Sequence, residues 1–265
     1  MIQKTILGLF LATVMVTGIA QGQNSWHNKK CAVALTYDDA LDVDLDHAIP
    51  ALDSLGLKAT FYLSGYSGAL SNRIDEWRAI SKNGHELANH TLYHPCTGKR
   101  PGREFVTPDY DLSNYTFRRL IDEIRMTNTV LKAIDGKTRR TFAYPCGDTK
   151  IGDSSYVDLL KNDFVAARGV QAEIPKINEI DFYKIGCYTI NGQTGEELIN
   201  LVKKAMANNG LLVFLFHGVG GGHSLNVSLD AHSQLLHFLK QNEKDIWIAP
   251  LIDIATYAKD YKQSR

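Results

Sequence analysis

The sequence predicts an α/β fold in which a parallel sheet is wrapped by helices and curls into a barrel rather than lying open. Three observations carry this. Short apolar runs alternate with longer amphipathic stretches from about residue 31 to the end. The apolar runs show little inside–outside alternation, as expected of parallel strands covered on both faces by helices. The strand count, about seven or eight, is the number at which such a sheet closes.

The elements follow in order. CAVALTY (31–37) reads as a buried strand. DLDHAIPALDSLG (44–56) reads as a helix stopped by its glycine. KATFYLSG (58–65) is a second strand, and SNRIDEWRAISKNG (71–84) a helix that again ends in glycine. TFRRLIDEIRMTNTVLKAIDG (116–136) is the longest helix, apolar near every third or fourth position. RTFAYP (140–145) is a strand, SSYVDLLKN (154–162) a short helix, and FVAAR (164–168) and YKIGCYTI (183–190) are strands. TGEELINLVKKAMANNG (194–210) is a helix opened by Thr194 and closed by Gly210. LLVFLF (211–216) is a strand, SLDAHSQLLHFLKQN (228–242) a helix, IWIAP (246–250) a strand and LIDIATYAKDY (251–261) the last helix.

Lys and Arg total 29 against 29 Asp and Glu. No basic excess marks a nucleic-acid partner, since phosphate binding normally shows as one. The first residues, MIQKTILGLFLATVMVTGIAQGQ, carry one early lysine, an apolar stretch and then small residues. They read as a secretory signal over residues 1–22, which leaves a folded domain over 25–265. The apolar run is short for a membrane span, so no stable membrane insertion is expected after cleavage. The mature protein would be periplasmic or secreted. Its four cysteines would then meet an oxidising compartment. Four cysteines allow three full pairings, and sequence does not choose among them. Cys96 and Cys146 each follow a proline in a loop beside a candidate site and form a candidate disulfide; free thiols are the alternative, with Cys31 and Cys187 in apolar surroundings.

In barrels of this kind chemistry gathers where strands end at their carboxyl side. CAVALTY ends in Asp38-Asp39, LLVFLF in His217, RTFAYP in Cys146-Gly147 and FVAA in Arg168. Adjacent carboxylates repel and call for a cation nearby. His90 and His94 are four apart, which on a helical turn puts both imidazoles on one side, within reach of one ion. His85, offset by five, reads as structural. One carboxylate and two histidines form a zinc set with positions left open for water and substrate. The second carboxylate and His217 supply a base and an acid, which completes a set for metal-assisted hydrolysis.

With these motifs in order, the chain resembles the polysaccharide deacetylase family, carbohydrate esterase family four. LTYDDA is similar to its Asp-Asp motif, with Ala40 where glycine is usual. GHELANHTLYH is similar to its second motif, a His-Thr-x-x-His run. TFAYPCG is similar to the third and LLVFLFHG to the fifth. The resemblance implies a distorted (β/α) barrel of about seven strands. It implies a divalent metal, Zn2+ or another transition metal, held by Asp39, His90 and His94. It implies Asp38 as the base that activates water and His217 as the acid that protonates the leaving atom. It places a backbone N–H near Cys146, with Tyr144 and Gly147, at the oxyanion and substrate. The implied partner is an acetylated poly- or oligosaccharide that loses its N-acetyl groups. Cleavage of O-acetyl esters on xylan-type glycans, and glycan binding without catalysis on the same scaffold, are the alternatives.

Two departures stand out. The third motif commonly holds an arginine that pairs with the catalytic aspartate. Here that position is Ala143, a variant similar to exported poly-N-acetylglucosamine deacetylases, and Arg168 is expected to orient Asp38 instead. No clear fourth motif supplies an acidic partner for His217. The loop over 96–115 is expected to wall the substrate groove, and the glycine run over 218–222 to be flexible.

Overall fold

The structure is a computed structural model and describes residues 25–264; the expected signal segment lies outside the described residues. Among the described residues, twelve strands occur in chain order: β1 (Cys31–Asp38), β2 (Thr60–Leu63), β3 (Glu86–Asn89), β4 (Thr141–Ala143), β5 (Lys150–Ile151), β6 (Ser154–Ser155), β7 (Ala166–Arg168), β8 (Tyr188–Thr189), β9 (Leu211–Phe216), β10 (Gly218–Val219), β11 (Asn226–Val227) and β12 (Ile246–Ile248). Eight of them form one curled sheet with the order β7-β4-β3-β2-β1-β9-β8, and β12 also pairs with β1. Every pairing in this sheet is parallel. One edge of β1 is shared, by β12 at its amino half (Cys31↔Ile246) and by β2 at its carboxyl half (Asp38↔Tyr62). Eight strands therefore fill seven positions. On the side where the sheet ends, β7 meets not β8 but the irregular segment before it, through the bridge Arg168↔Ile185 and the Ala167 N–H to the Phe182 carbonyl (2.8 Å), so the barrel is distorted there.

The helices are α1 (Ile49–Ser54), α2 (Gly68–Asn72), α3 (Ile74–Lys82), α4 (Phe117–Asp135), α5 (Gly195–Asn208), α6 (Leu229–Gln241) and α7 (Leu251–Gln263). Their ends follow the capping residues. Thr116 accepts the Arg119 N–H at the start of α4, and Gly136 closes it at φ 74°. Thr194 and Glu197 form a reciprocal capping box on α5. That helix ends on left-handed Asn209, one residue before the expected Gly210.

Other local expectations need correction. The stretch at 44–56 opens with a π-turn (Asp44–Ala48) before α1. The stretch at 154–162 holds only a 3₁₀ turn, Val157–Leu160. Most of 183–190 is irregular, with Tyr188–Thr189 alone paired as a strand. In the other direction, HELANH contains β3, a buried strand that its polar residues conceal.

Strand periodicity sorts the core into an outer and an inner layer. Cys31, Val33, Leu35 and Tyr37 of β1 pack outward with Leu52 of α1, Trp77 of α3 and Leu235 of α6. Ala32 and Ala34 face the interior with Tyr62, Ala88, Ala143, Ala166 and Val213. The interior is lined by small residues on most strands, so it is narrow. Helix α7 closes its amino end through Leu251, Ile254 and Ala255. Carried to the carboxyl ends, the same alternation turns Asp38, His90, Arg168 and His217 inward at the barrel mouth.

Candidate active site

The mouth opens into a cleft of about 870 Å³ whose walls include Asp38, Asp39, His90, His94, Tyr144, Cys146 and His217. Asp38 ends β1, and the chain then turns through left-handed Asp39 and Ala40, with φ of 79° and 57°. The turn is pinned by the Asp39 N–H to the Tyr62 carbonyl (3.0 Å) and by the Ser67 hydroxyl to the Ala40 carbonyl (2.6 Å). It swings the Asp39 carboxylate over the mouth.

His90 follows β3 directly and is buried. Its Nδ1–H donates to the Ala143 carbonyl at 2.9 Å, which leaves Nε2 bare and aimed at Asp39. His94 does not sit on a helical turn with His90, as the spacing suggested. Thr91 and His94 adopt φ of 66° and 51° in an irregular turn. The Asn89 side chain accepts the Thr91 N–H (2.7 Å), and the Thr91 hydroxyl accepts the His94 N–H (2.9 Å). This turn still brings the two rings to 4.7 Å. His85 has the structural place expected of it, buried between the Ala59 N–H and Asp53.

Asp39 Oδ1 lies 3.6 Å from His90 Nε2 and 3.5 Å from His94 Nε2. Donors around a tetrahedral zinc with bonds of 2.0–2.1 Å stand about 3.3–3.5 Å apart. The carboxylate–imidazole set therefore fits such an ion. A neighbouring group of His94, Cys96 and Cys146 offers no alternative centre, because Cys96 and Cys146 are joined in a disulfide. The other two cysteines, Cys31 and Cys187, are free and buried.

The electrostatics agree with this set. Burial alone would raise the Asp39 carboxyl, but four imidazoles, His94 foremost, draw it below the ordinary carboxylate range. Burial pushes His90 down to about 4 against the pull of Asp38 and Asp39. His90 is thus a neutral ligand type across the physiological range. His217 is also lowered, by burial first.

Arg168 is fully buried, and its Nη2 reaches both oxygens of Asp38, at 2.6 and 2.5 Å. Its Nη1 donates to the Gly169 carbonyl (2.9 Å) and lies 3.4 Å from Cys187 Sγ, and its Cζ stands 4.9 Å over the Tyr62 ring. The guanidinium arrives from β7, and Ala143 on the neighbouring β4 carries no long side chain. His217 Nε2 is 3.9 Å from Asp39 Oδ2, and its buried Nδ1 makes no hydrogen bond.

Tyr144 and Cys146 line the cleft, whereas Gly147 does not. The Gly147 N–H donates to the Tyr144 carbonyl at 2.9 Å, so it is not free for an oxyanion. Gly147 acts in packing, since a Cβ there would come 2.4 Å from Val170. From the loop over 96–115, Gly102, Arg103 and Phe105 line the cleft; Tyr115 is buried away from it. Sequence reasoning missed His223, whose ring stacks on His217 at 4.6 Å and 13°. Its signal was a second histidine just past the glycine run that follows the first.

The chain belongs to the polysaccharide deacetylase family, whose family model matches residues 27–162. Among curated proteins, the uncharacterized protein YlxY of Bacillus subtilis (strain 168) is 29% identical over 103 residues, 39% of this chain. That match spans 27% of the length of YlxY. Among solved structures, a Mycobacterium smegmatis protein classed with the polysaccharide deacetylases superimposes with a TM-score of 0.63 at 14% identity, over 88% of this chain and 92% of its own. A mutant of BA3943, a CE4 family pseudoenzyme, superimposes with a TM-score of 0.51 at 17% identity, over 86% and 68%. These likenesses show the fold. That a pseudoenzyme shares it means the activity has to be argued from the site.

Proposed function

We propose that this chain is an exported, metal-dependent hydrolase that removes acetyl groups from N-acetylated sugars of a poly- or oligosaccharide. One observation carries the reading: Asp39, His90 and His94 converge at ion-binding distance beside an Arg168-paired Asp38 and across from His217, in one cleft. A scaffold retired to glycan binding has no need to keep this whole set. The disulfide between Cys96 and Cys146 supports export, since such bonds persist in oxidising compartments.

Zinc or a similar ion held by Asp39, His90 and His94 would polarise the acyl oxygen and make water available as a nucleophile at neutral pH. Asp38 accepts the proton of the attacking water on a carboxylate oxygen, and Arg168 fixes the direction of that carboxylate. The His90 ring is locked by its bond to the Ala143 carbonyl, so its Nε2 cannot turn away. His217 faces the site through Nε2 and delivers a proton to the leaving nitrogen. Burial makes that proton easy to release, and the nearby Asp38 and Asp39 charges help the ring to acquire it.

The test is acetate release from a panel of N- and O-acetylated glycans, with and without a chelator, by the native protein and by Asp39→Ala. Chelation or the substitution should cost several kcal/mol of transition-state stabilisation, on the order of a 10³-fold loss. A protein that binds oligosaccharide but releases no acetate from any panel member would reject the enzyme. Release from O-acetyl glycans alone would shift the reading to an esterase.

A further inference from the structure

The glycine run after His217 is a packed structure rather than the flexible segment expected from sequence. Strands β10 and β11 pair in parallel, Gly218 with Asn226 and Val219 with Val227. His47 Nδ1 lies 2.6 Å from the Val219 carbonyl, to which it donates, and Asn226 Oδ1 accepts the Gly221 N–H at 2.8 Å. Gly220 and Gly222 have φ of 70° and 80°, and a Cβ on them would stand 2.6 Å from Leu229 and 2.7 Å from Val43. These glycines permit a tight reversal against neighbouring side chains.

What the reversal presents is His223. Its Nδ1 accepts the Leu225 N–H at 3.0 Å, so the neutral ring carries its proton on Nε2. That Nε2 is 4.0 Å from Asp39 Oδ2, beyond hydrogen-bond range, and the residue lines the cleft. The stacked rings of His217 and His223 therefore turn two Nε2 edges toward the same side of the site, at 3.9 and 4.0 Å from one carboxylate oxygen.

We infer that His223 is a substrate-binding residue whose Nε2–H donates to a sugar oxygen on the carbon next to the one bearing the acetyl group. The inference rests on the deacetylase reading above. His217 addresses the leaving atom; a donor one stacked ring away meets the neighbouring substituent of the sugar. His223 then favours acetyl groups carried on a polyol over those on a leaving group with no adjacent hydroxyl.

The test compares His223→Phe, which keeps a ring to stack on His217 but has no donor, with His223→Gln, which restores a donor. Each is assayed on the best acetylated glycan of the panel and on para-nitrophenyl acetate, which has no hydroxyl beside its leaving oxygen. In the Phe variant, kcat/KM on the glycan should fall about tenfold further than on the aryl ester, mostly through KM, and the Gln variant should recover part of that gap. Equal losses on the two substrates, or unchanged glycan kinetics in a protein whose native form releases glycan acetate, overturn the role of His223 alone. A native protein that turns over the aryl ester but no glycan overturns both this role and the deacetylase reading.

Discussion

Asp38 and Glu86 are buried at opposite ends of the same barrel, and the chain treats them in opposite ways. At the mouth, Asp38 meets a buried guanidinium on one side and the open cleft on the other. At the floor, Glu86 accepts from the Thr60 hydroxyl, from the Thr141 N–H and hydroxyl, and from the Ile252 N–H at the start of α7. All of those donors are uncharged. Burial raises the Glu86 carboxyl despite them, whereas Asp39 at the mouth is drawn down by its imidazoles. A closed network of neutral donors ties strands to a helix. A set of charges left open on one side is the arrangement that reacts.

The comparison breaks most visibly at Arg168. Arg168→Met keeps most of the volume and removes the charge. It should lower kcat/KM on the order of 10²–10³-fold while the metal content stays that of the native protein. It should also destabilise, because taking one partner from a buried pair leaves an uncompensated charge, at about 3–5 kcal/mol. Near-native turnover in a folded Arg168→Met protein would mean that Asp38 needs no orienting partner.

The mouth and the floor also differ in what holds them. The floor has sheet pairing and helix packing, while the turn over 90–97 has few ladder hydrogen bonds and is stapled by the disulfide between Cys96 and Cys146, 50 residues apart. Replacing both cysteines by serine should reduce stability by about 4 kcal/mol on the chain-entropy model. Metal affinity should weaken with it, because the staple borders His94. Both effects are readable by denaturant titration and by competition with a chromophoric chelator. A double variant with native stability would show that the turn is held by its own hydrogen bonds.

How much of this was legible in the sequence follows the same division. The central strands, the long helices and the inward residues Asp38, Arg168 and His217 come from apolar runs and from where those runs end. That information is local, and a period of two carries it to the mouth. The type and spacing of His94 mark it as a ligand, but the chain reaches it through left-handed residues that the spacing of four does not reveal. Glu86 hid β3, because a buried strand with a charged residue has no apolar signature when its partners are distant in sequence. His223 and the packing role of Gly147 depend on side chains brought in from elsewhere, Val43, Val170 and Leu229 among them. No local pattern encodes those contacts.

The smallest effect is expected at the floor, with Glu86→Gln. An amide places an NH₂ where an oxygen stood, facing the backbone N–H of either Thr141 or Ile252. The hydroxyl donors can reverse, but a backbone N–H cannot, so one buried donor loses its acceptor at about 1–3 kcal/mol. Acetate release should not change, since the site lies at the other end of the barrel. The pH dependence distinguishes this from a simple packing defect. The Glu86 carboxyl is raised in the folded chain above its ordinary 4.5, so the folded state binds a proton that the unfolded chain has released. The stability this contributes is present in full below about pH 4.5 and declines as pH rises, by up to about 1.4 kcal/mol per unit. Gln does not titrate and shows no such decline. The deficit of Glu86→Gln relative to the native protein should therefore shrink as pH rises above about 4.5 in guanidinium titrations. A deficit that is constant or grows over that range would mean that Glu86 stays charged in the fold, and that the floor holds its anion with neutral donors alone.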